Sequence, residues 1–144
     1  MRYQVTGNEY ISLPTIRESD GGIEGITFLH MHAKGMLEMR GSPYLIRPYL
    51  KINKEELTLT PEWTREYCWL PRFSSYCKGV RYECTYLTPL GQRGFALHLE
   101  VKNETDLDVS CTIGLEGTWA STLHEINEKN ILVVCPQSLY QPVS

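Results

Sequence analysis

The chain has 144 residues, 42% hydrophobic and 22% charged, a balance that sets intrinsic disorder aside and fits one domain around one core. Fourteen Lys and Arg stand against seventeen Asp and Glu, a net charge of −3 with no long run of either sign. No electrostatic footprint for a nucleic-acid backbone or an anionic membrane results, so neither is expected as a partner.

In chain order, residues 1–10 mix Arg2, Gln4, Asn8 and Glu9 with apolar residues, which is no signal-peptide core. No apolar run approaches the ~20 residues of a membrane-spanning helix, and a cytoplasmic protein is expected. Gly21-Gly22 and Gly25 lack the spacing of a phosphate-binding loop. Residues 36–40, 45–50, 57–60 and 63–69 read as short strands, punctuated by Gly41-Ser42-Pro43, Asn53-Lys54 and Pro61. Val80, Tyr82, Cys84 and Tyr86 alternate with Arg81, Glu83 and Thr85 until Pro89-Leu90-Gly91-Gln92 breaks the run. The clearest signal follows: Phe95, Leu97, Leu99 and Val101 face one way, and Ala96, His98, Glu100 and Lys102 the other, as in a half-buried strand.

Asn103-Glu104-Thr105-Asp106 supplies turn chemistry, and its match to a glycosylation sequon carries no weight without an export signal. Beyond it, Leu107, Val109, Cys111, Ile113 and Leu115 alternate with Asp108, Ser110, Thr112 and Gly114. This predicts a hairpin of adjacent strands and a three-strand meander over residues 80–115. Residues 121–128 read as the one helical stretch, and residues 131–135 as a late strand. Many short strands joined by polar turns predict an all-β fold, an antiparallel β-sandwich with short meander strands, with residues 1–144 as a single domain.

Aromatic residues are the most suggestive functional signal. Trp63, Tyr67 and Trp69 alternate along one expected strand, Tyr82 and Tyr86 along another, and Trp119 lies beyond the meander. An exposed aromatic face can stack on the apolar face of a pyranose, which makes Trp63, Tyr67, Trp69 and Trp119 the candidate carbohydrate-binding residues. Buried, the same residues are core, the commoner fate of aromatics spaced by two on a strand. His30 and His32, two apart, would share one face of a strand, and with Glu38 and His98 they supply the residue types of a cupin-like metal site. The spacing does not fit that motif, and no metal site or cofactor is expected. Cys68, Cys77, Cys84, Cys111 and Cys135 form an odd set without a C-x-x-C pair and read as thiols rather than a disulfide framework. Glu55-Glu56 and Asp106 with Asp108 flank turns, and no pair of carboxylates takes a catalytic role.

Residues 79–89, Gly79-Val80-Arg81-Tyr82-Glu83-Cys84-Thr85-Tyr86-Leu87-Thr88-Pro89, lead into Arg93-Gly94-Phe95-Ala96-Leu97-His98-Leu99-Glu100-Val101-Lys102-Asn103-Glu104-Thr105. This segment resembles the N-terminal β-sandwich domain of enzymes with an (α/α)6 catalytic barrel: glycoside phosphorylases, bacterial glucoamylases and glycogen-debranching-like hydrolases. The resemblance covers about a third of the chain and consists of strand-and-turn patterns. It implies a non-catalytic domain, the N-terminal part of a longer enzyme, that packs against a catalytic barrel and shapes its substrate cleft or a dimer interface. The barrel's acid and base map to no position here. The implied partners are a catalytic domain or a second copy of the chain, with an oligosaccharide as ligand. An autonomous carbohydrate-binding module and a cupin-like metal protein are the alternatives. Apolar residues are dense between Trp63 and Tyr86, and a dimer or an apolar surface patch is expected.

Overall fold

A computed structural model describes residues 2–29, 36–117, 122–126 and 132–136. Within them the chain is all β, and every strand pairing is antiparallel. The first sheet takes β1 (Tyr3–Gly7), β2 (Ile11–Arg17), β3 (Ile23–Leu29), β5 (Ile46–Ile52) and β11 (Cys111–Gly117) in that order. β4 (Met36–Arg40) pairs with β3, and the two-residue β6 (Glu55–Glu56) with β5. The second sheet is a meander of β7 (Glu62–Glu66), β8 (Leu70–Cys77), β9 (Val80–Leu87) and β10 (Ala96–Asn103). A hairpin of β12 (Thr122–Ile126) and β13 (Leu132–Pro136) forms a two-stranded sheet of its own.

Period-two alternation explains which faces meet. On β5, Ile46, Pro48, Leu50 and Ile52 are buried while Arg47, Tyr49 and Lys51 look outward. On β9, Val80, Tyr82, Cys84 and Tyr86 point inward. Ile11, Leu13, Ile16, Ile23, Ile26, Leu50 and Ile52 from the first sheet thus share one core with Phe73, Val80, Tyr82, Cys84 and Tyr86 from the second. Each fully buried aliphatic side chain contributes roughly 1.5–3 kcal/mol, so this layer dominates the stability of the sandwich.

Several expectations hold. Residues 36–40, 45–50, 80–86, 95–101 and 131–135 correspond to β4, β5, β9, β10 and β13 within a residue or two. Others are corrected. Residues 57–60 are no strand: Glu55–Glu56 pairs with β5, the Leu57 amide donates to the Leu50 carbonyl at 3.0 Å, and the chain then leaves the first sheet with the Leu57 side chain plugged into the core. Residues 121–128 are not a helix, since Thr122–Ile126 pairs with β13. Residues 63–69 are not one strand, because the chain turns at Tyr67.

The predicted hairpin of residues 95–115 is also absent: β10 pairs with β9, and β11 crosses to β5 in the other sheet. The physical cause lies in the loop. Asn103 accepts from the Thr105 amide at 3.0 Å and donates to the Leu107 carbonyl at 2.7 Å, while the Glu104 amide donates to the Gly79 carbonyl at 2.9 Å. The Asn103 turn therefore bends the chain around its own backbone and pins it to the β8–β9 turn. β1, β2 and β3 had no sequence signature, and β-bulges explain why. The register slips between Gln4 and Thr6 and between Ser12 and Thr15, which scrambles the alternation.

Candidate functional site

The five aromatics of the expected belt part company. Tyr82 and Tyr86 are fully buried, and burial raises both phenols above their ordinary pKa. Trp63, partly buried, packs against them: its ring lies edge-on to Phe73 at 5.2 Å and stacks on Tyr86 at 5.8 Å, and its indole N–H donates to the Glu18 carbonyl at 2.9 Å. With its ring engaged by two core aromatics and its donor satisfied, Trp63 is a core residue and is removed from the sugar-stacking set. The register explains this, since Trp63 lies opposite Phe73 on the inner face. Trp119 lies outside the described residues. Of the apolar residues between Trp63 and Tyr86, Leu70, Phe73, Val80, Tyr82, Cys84 and Tyr86 fill the interior, while Tyr67, Trp69 and Tyr76 are exposed.

Tyr67 and Trp69 are different. Tyr67 is 78% exposed and Trp69 44%, and both sit with exposed Cys68 at the tip of the β7–β8 hairpin. The Trp69 amide closes the turn on the Glu66 carbonyl at 3.2 Å. Tyr67 and Cys68 occupy the left-handed region, at φ 49° and 70°. Two other hairpins make the contrast plain. The β5–β6 turn places Asn53 and Lys54 at φ 50° and 72°, and the β8–β9 turn places Lys78 and Gly79 at φ 50° and 78°. Asn and Gly tolerate that conformation, whereas Tyr and Cys in it cost roughly 1–2 kcal/mol each. Gly79 is also required by packing, because a Cβ there would sit 2.1 Å from a Thr105 methyl. The tip thus holds two aromatic rings in water on a backbone that neither turn residue favours, the kind of outlier that marks functional surfaces.

The base of the tip is fixed by charge. Arg72, on the face of β8 turned away from the core, pairs with Glu83, lies 3.3 Å from Glu66 and 3.6 Å from Glu100, and its guanidinium is stabilised first by the Glu83 hydrogen bond. On the β7 side Arg65 donates to Gln4 at 3.2 Å. The same outward face carries a shallow polar groove of about 360 Å³ in which exposed Tyr76 stands beside Glu62, Ser74, Arg81 and Glu104. Arg81 and Glu104 pair there at 2.9 Å.

A second cleft of about 410 Å³ opens at the first sheet, where Arg47, Asp20, Tyr49 and Glu56 meet. Its cations are already committed. The Arg17 and Arg47 guanidiniums each lie over the Tyr44 ring, 5.3 Å from its centroid. Arg47 pairs with Glu56 at 2.6 Å and Glu116 at 2.7 Å, and buried Arg17 pairs with Asp20 and donates to the Pro43 carbonyl at 2.9 Å. This is an architectural stack.

The remaining chemistry-bearing residues do not converge. Burial pushes the Cys84 thiol up to about 12, which removes it as a nucleophile at neutral pH. Among the described residues no three His, Cys, Asp or Glu side chains are grouped to hold a metal ion. Glu38, on β4, and His98, on β10, belong to different sheets, so the cupin-like set is not assembled from them, and His30 and His32 lie outside the described residues. Glu55 is tied to Lys78 at 2.6 Å across neighbouring turns rather than paired with Glu56 over a substrate. Among the described residues no helix is long and apolar enough to cross a membrane. No protein-family profile, curated protein or solved structure matches the chain.

Proposed function

We propose that the chain is a non-catalytic accessory β-sandwich of a glycoside hydrolase or phosphorylase, set against a catalytic (α/α)6 barrel and helping to shape its substrate cleft. One observation carries this reading: Tyr67 and Trp69 are held exposed at a hairpin tip whose backbone is left-handed at two residues that do not favour it. Such a tip suits a cleft wall, offering flat apolar faces to a sugar ring while charged neighbours at its base stay paired. The resemblance of residues 79–105 to the sandwich domains of such enzymes supports the same reading.

The test is incubation of the purified chain with gluco-oligosaccharides, with and without inorganic phosphate. No sugar or sugar phosphate should be released. Release abolished by a single carboxylate substitution would overturn the proposal. The exposed tip also favours a second reading, an autonomous carbohydrate-binding module. Titration of tryptophan emission separates the two. A cleft wall acting alone leaves emission flat, whereas saturable quenching at millimolar oligosaccharide, lost in Trp69→Ala, favours the module.

A further inference from the structure

The sandwich is unfinished along one flank. Among the described residues β10 is the last strand of the second sheet and β11 the last of the first, so each has an unpaired edge there. On β11, Cys111, Ile113 and Leu115 lie opposite Ile52, Leu50 and Pro48, which are interior residues of β5. They therefore project from the inner face of the first sheet. Yet Ile113 is 43% exposed, Leu115 39% and Cys111 exposed, because the second sheet stops at β10. Leu97, Leu99 and Val101, the inward residues of β10, are only partly buried.

The chain supplies a matching need. β12–β13 is a two-stranded sheet, and an isolated two-stranded hairpin is marginal in water without a further strand or an apolar surface to pack on. Its sequence includes Leu123, Ile126, Leu132, Val133 and Val134. Only residues 118–121 separate it from β11. Four extended residues reach about 13 Å, more than the ~10 Å between packed sheets.

We infer that the β12–β13 hairpin closes this flank by joining the second sheet at the free edge of β10, over Cys111, Ile113 and Leu115. Strand direction selects the partner. β11 begins where β10 ends and β12 begins where β11 ends, so β13, running back, lies antiparallel to β10. Composition agrees, since β13 reads Leu-Val-Val and suits a paired position, whereas β12 carries His124 and Glu125, which suit a solvent edge. The inference does not depend on what the Tyr67–Trp69 tip contacts. It assigns the flank to this chain's own segment and not to a second copy.

The test uses the intact 144-residue chain. Pulse labelling with N-ethylmaleimide, read cysteine by cysteine, compares Cys111 with Cys68, the exposed thiol at the distant tip. Cys111 should react at least tenfold more slowly, and Val133→Asp with Val134→Asp should bring it to the Cys68 rate while leaving Cys68 unchanged. Equal rates in the unsubstituted chain, or protection indifferent to the two substitutions, would overturn the inference. So would protection that disappears on dilution as a dimer dissociates, because the cover would then be a second copy. Amide exchange needs no variant. An edge strand protects alternate N–H groups, whereas β10 paired on both sides protects consecutive ones through residues 97–101. An alternating pattern there would sink the pairing with β13.

Discussion

The two flanks of this sandwich are built on opposite terms. At the β7–β8 flank the interior is sealed: Trp63, Phe73, Tyr82 and Tyr86 form a continuous aromatic cluster, and the Tyr86 hydroxyl donates to the Gly21 carbonyl across the two sheets at 2.5 Å. A Cβ on Gly21, which sits at φ 73°, would come within 2.6 Å of the Phe73 ring, so this flank has no spare volume. At the β10–β11 flank the inner face of the first sheet runs past β10, the last strand of the second sheet among the described residues, and Ile113 and Leu115 are left for a further element to cover. Similar alternating strands thus produce a fixed wall on one side and an adhesive one on the other. The difference lies in whether an opposing strand is present.

The largest expected effect breaks the sealed flank. Phe73→Ala should lose about 3–5 kcal/mol in urea unfolding, since a ring enclosed by three aromatics leaves a cavity that cannot collapse. Next comes the stack that ties β2 to β5. Arg17→Met should cost about 2–3 kcal/mol, because it leaves Asp20 with the Gly22 amide alone, removes the donor to the Pro43 carbonyl and removes a cation over the Tyr44 ring. Ile113→Asp addresses the open flank and should cost about 1–2 kcal/mol. Its loss should stay local, with faster exchange at β10 and β11 and unchanged near-ultraviolet circular dichroism from the core aromatics. A loss equal to that of Phe73→Ala would mean that the flanks are not energetically distinct.

The tip sharpens the contrast with a change of opposite sign. Cys68→Gly should stabilise the chain by about 1 kcal/mol, read from the thermal midpoint, because glycine adopts a positive φ freely. Gly79→Ala in the neighbouring turn should do the reverse, since it adds both strain and a clash with Thr105. The smallest effect is acidic. The Glu116 carboxyl is held below the usual glutamate pKa of 4.5, first by the Tyr44 hydrogen bond and then by Arg47. A depressed pKa contributes stability above the unfolded value and loses it as pH falls through the folded one. Below pH 4.5 the β5–β11 seam should therefore loosen by less than ~1 kcal/mol, an effect that Glu116→Gln removes.

Legibility followed from local regularity. β9 and β10 could be read because each alternates without interruption, and the all-β class followed from them and their polar turns. β1 to β3 could not, because their bulges break the period. The turn at Tyr67-Cys68 was hidden for a related reason. It carries none of Gly, Asn, Asp or Pro, and its aromatics favour strands, so nothing in the sequence separates a strained tip from a strand interior. Trp63 and Trp69 have the same spacing logic and opposite fates, decided by the position of that turn. The crossing of β11 to the other sheet was also beyond local pattern, because alternation specifies a face and never a partner.

That crossing has a kinetic consequence. Ile52 and Cys111 pair directly, and between them lies the entire second sheet. Closing that loop costs chain entropy before any seam contact forms, so a rate-limiting barrier is expected there. On a ribosome, β5 emerges long before β11, and its edge stays open until Gly117 has left the exit tunnel. During that interval Arg47 and Lys51, alternating along β5, are the charges that keep the waiting edge from pairing with another nascent chain.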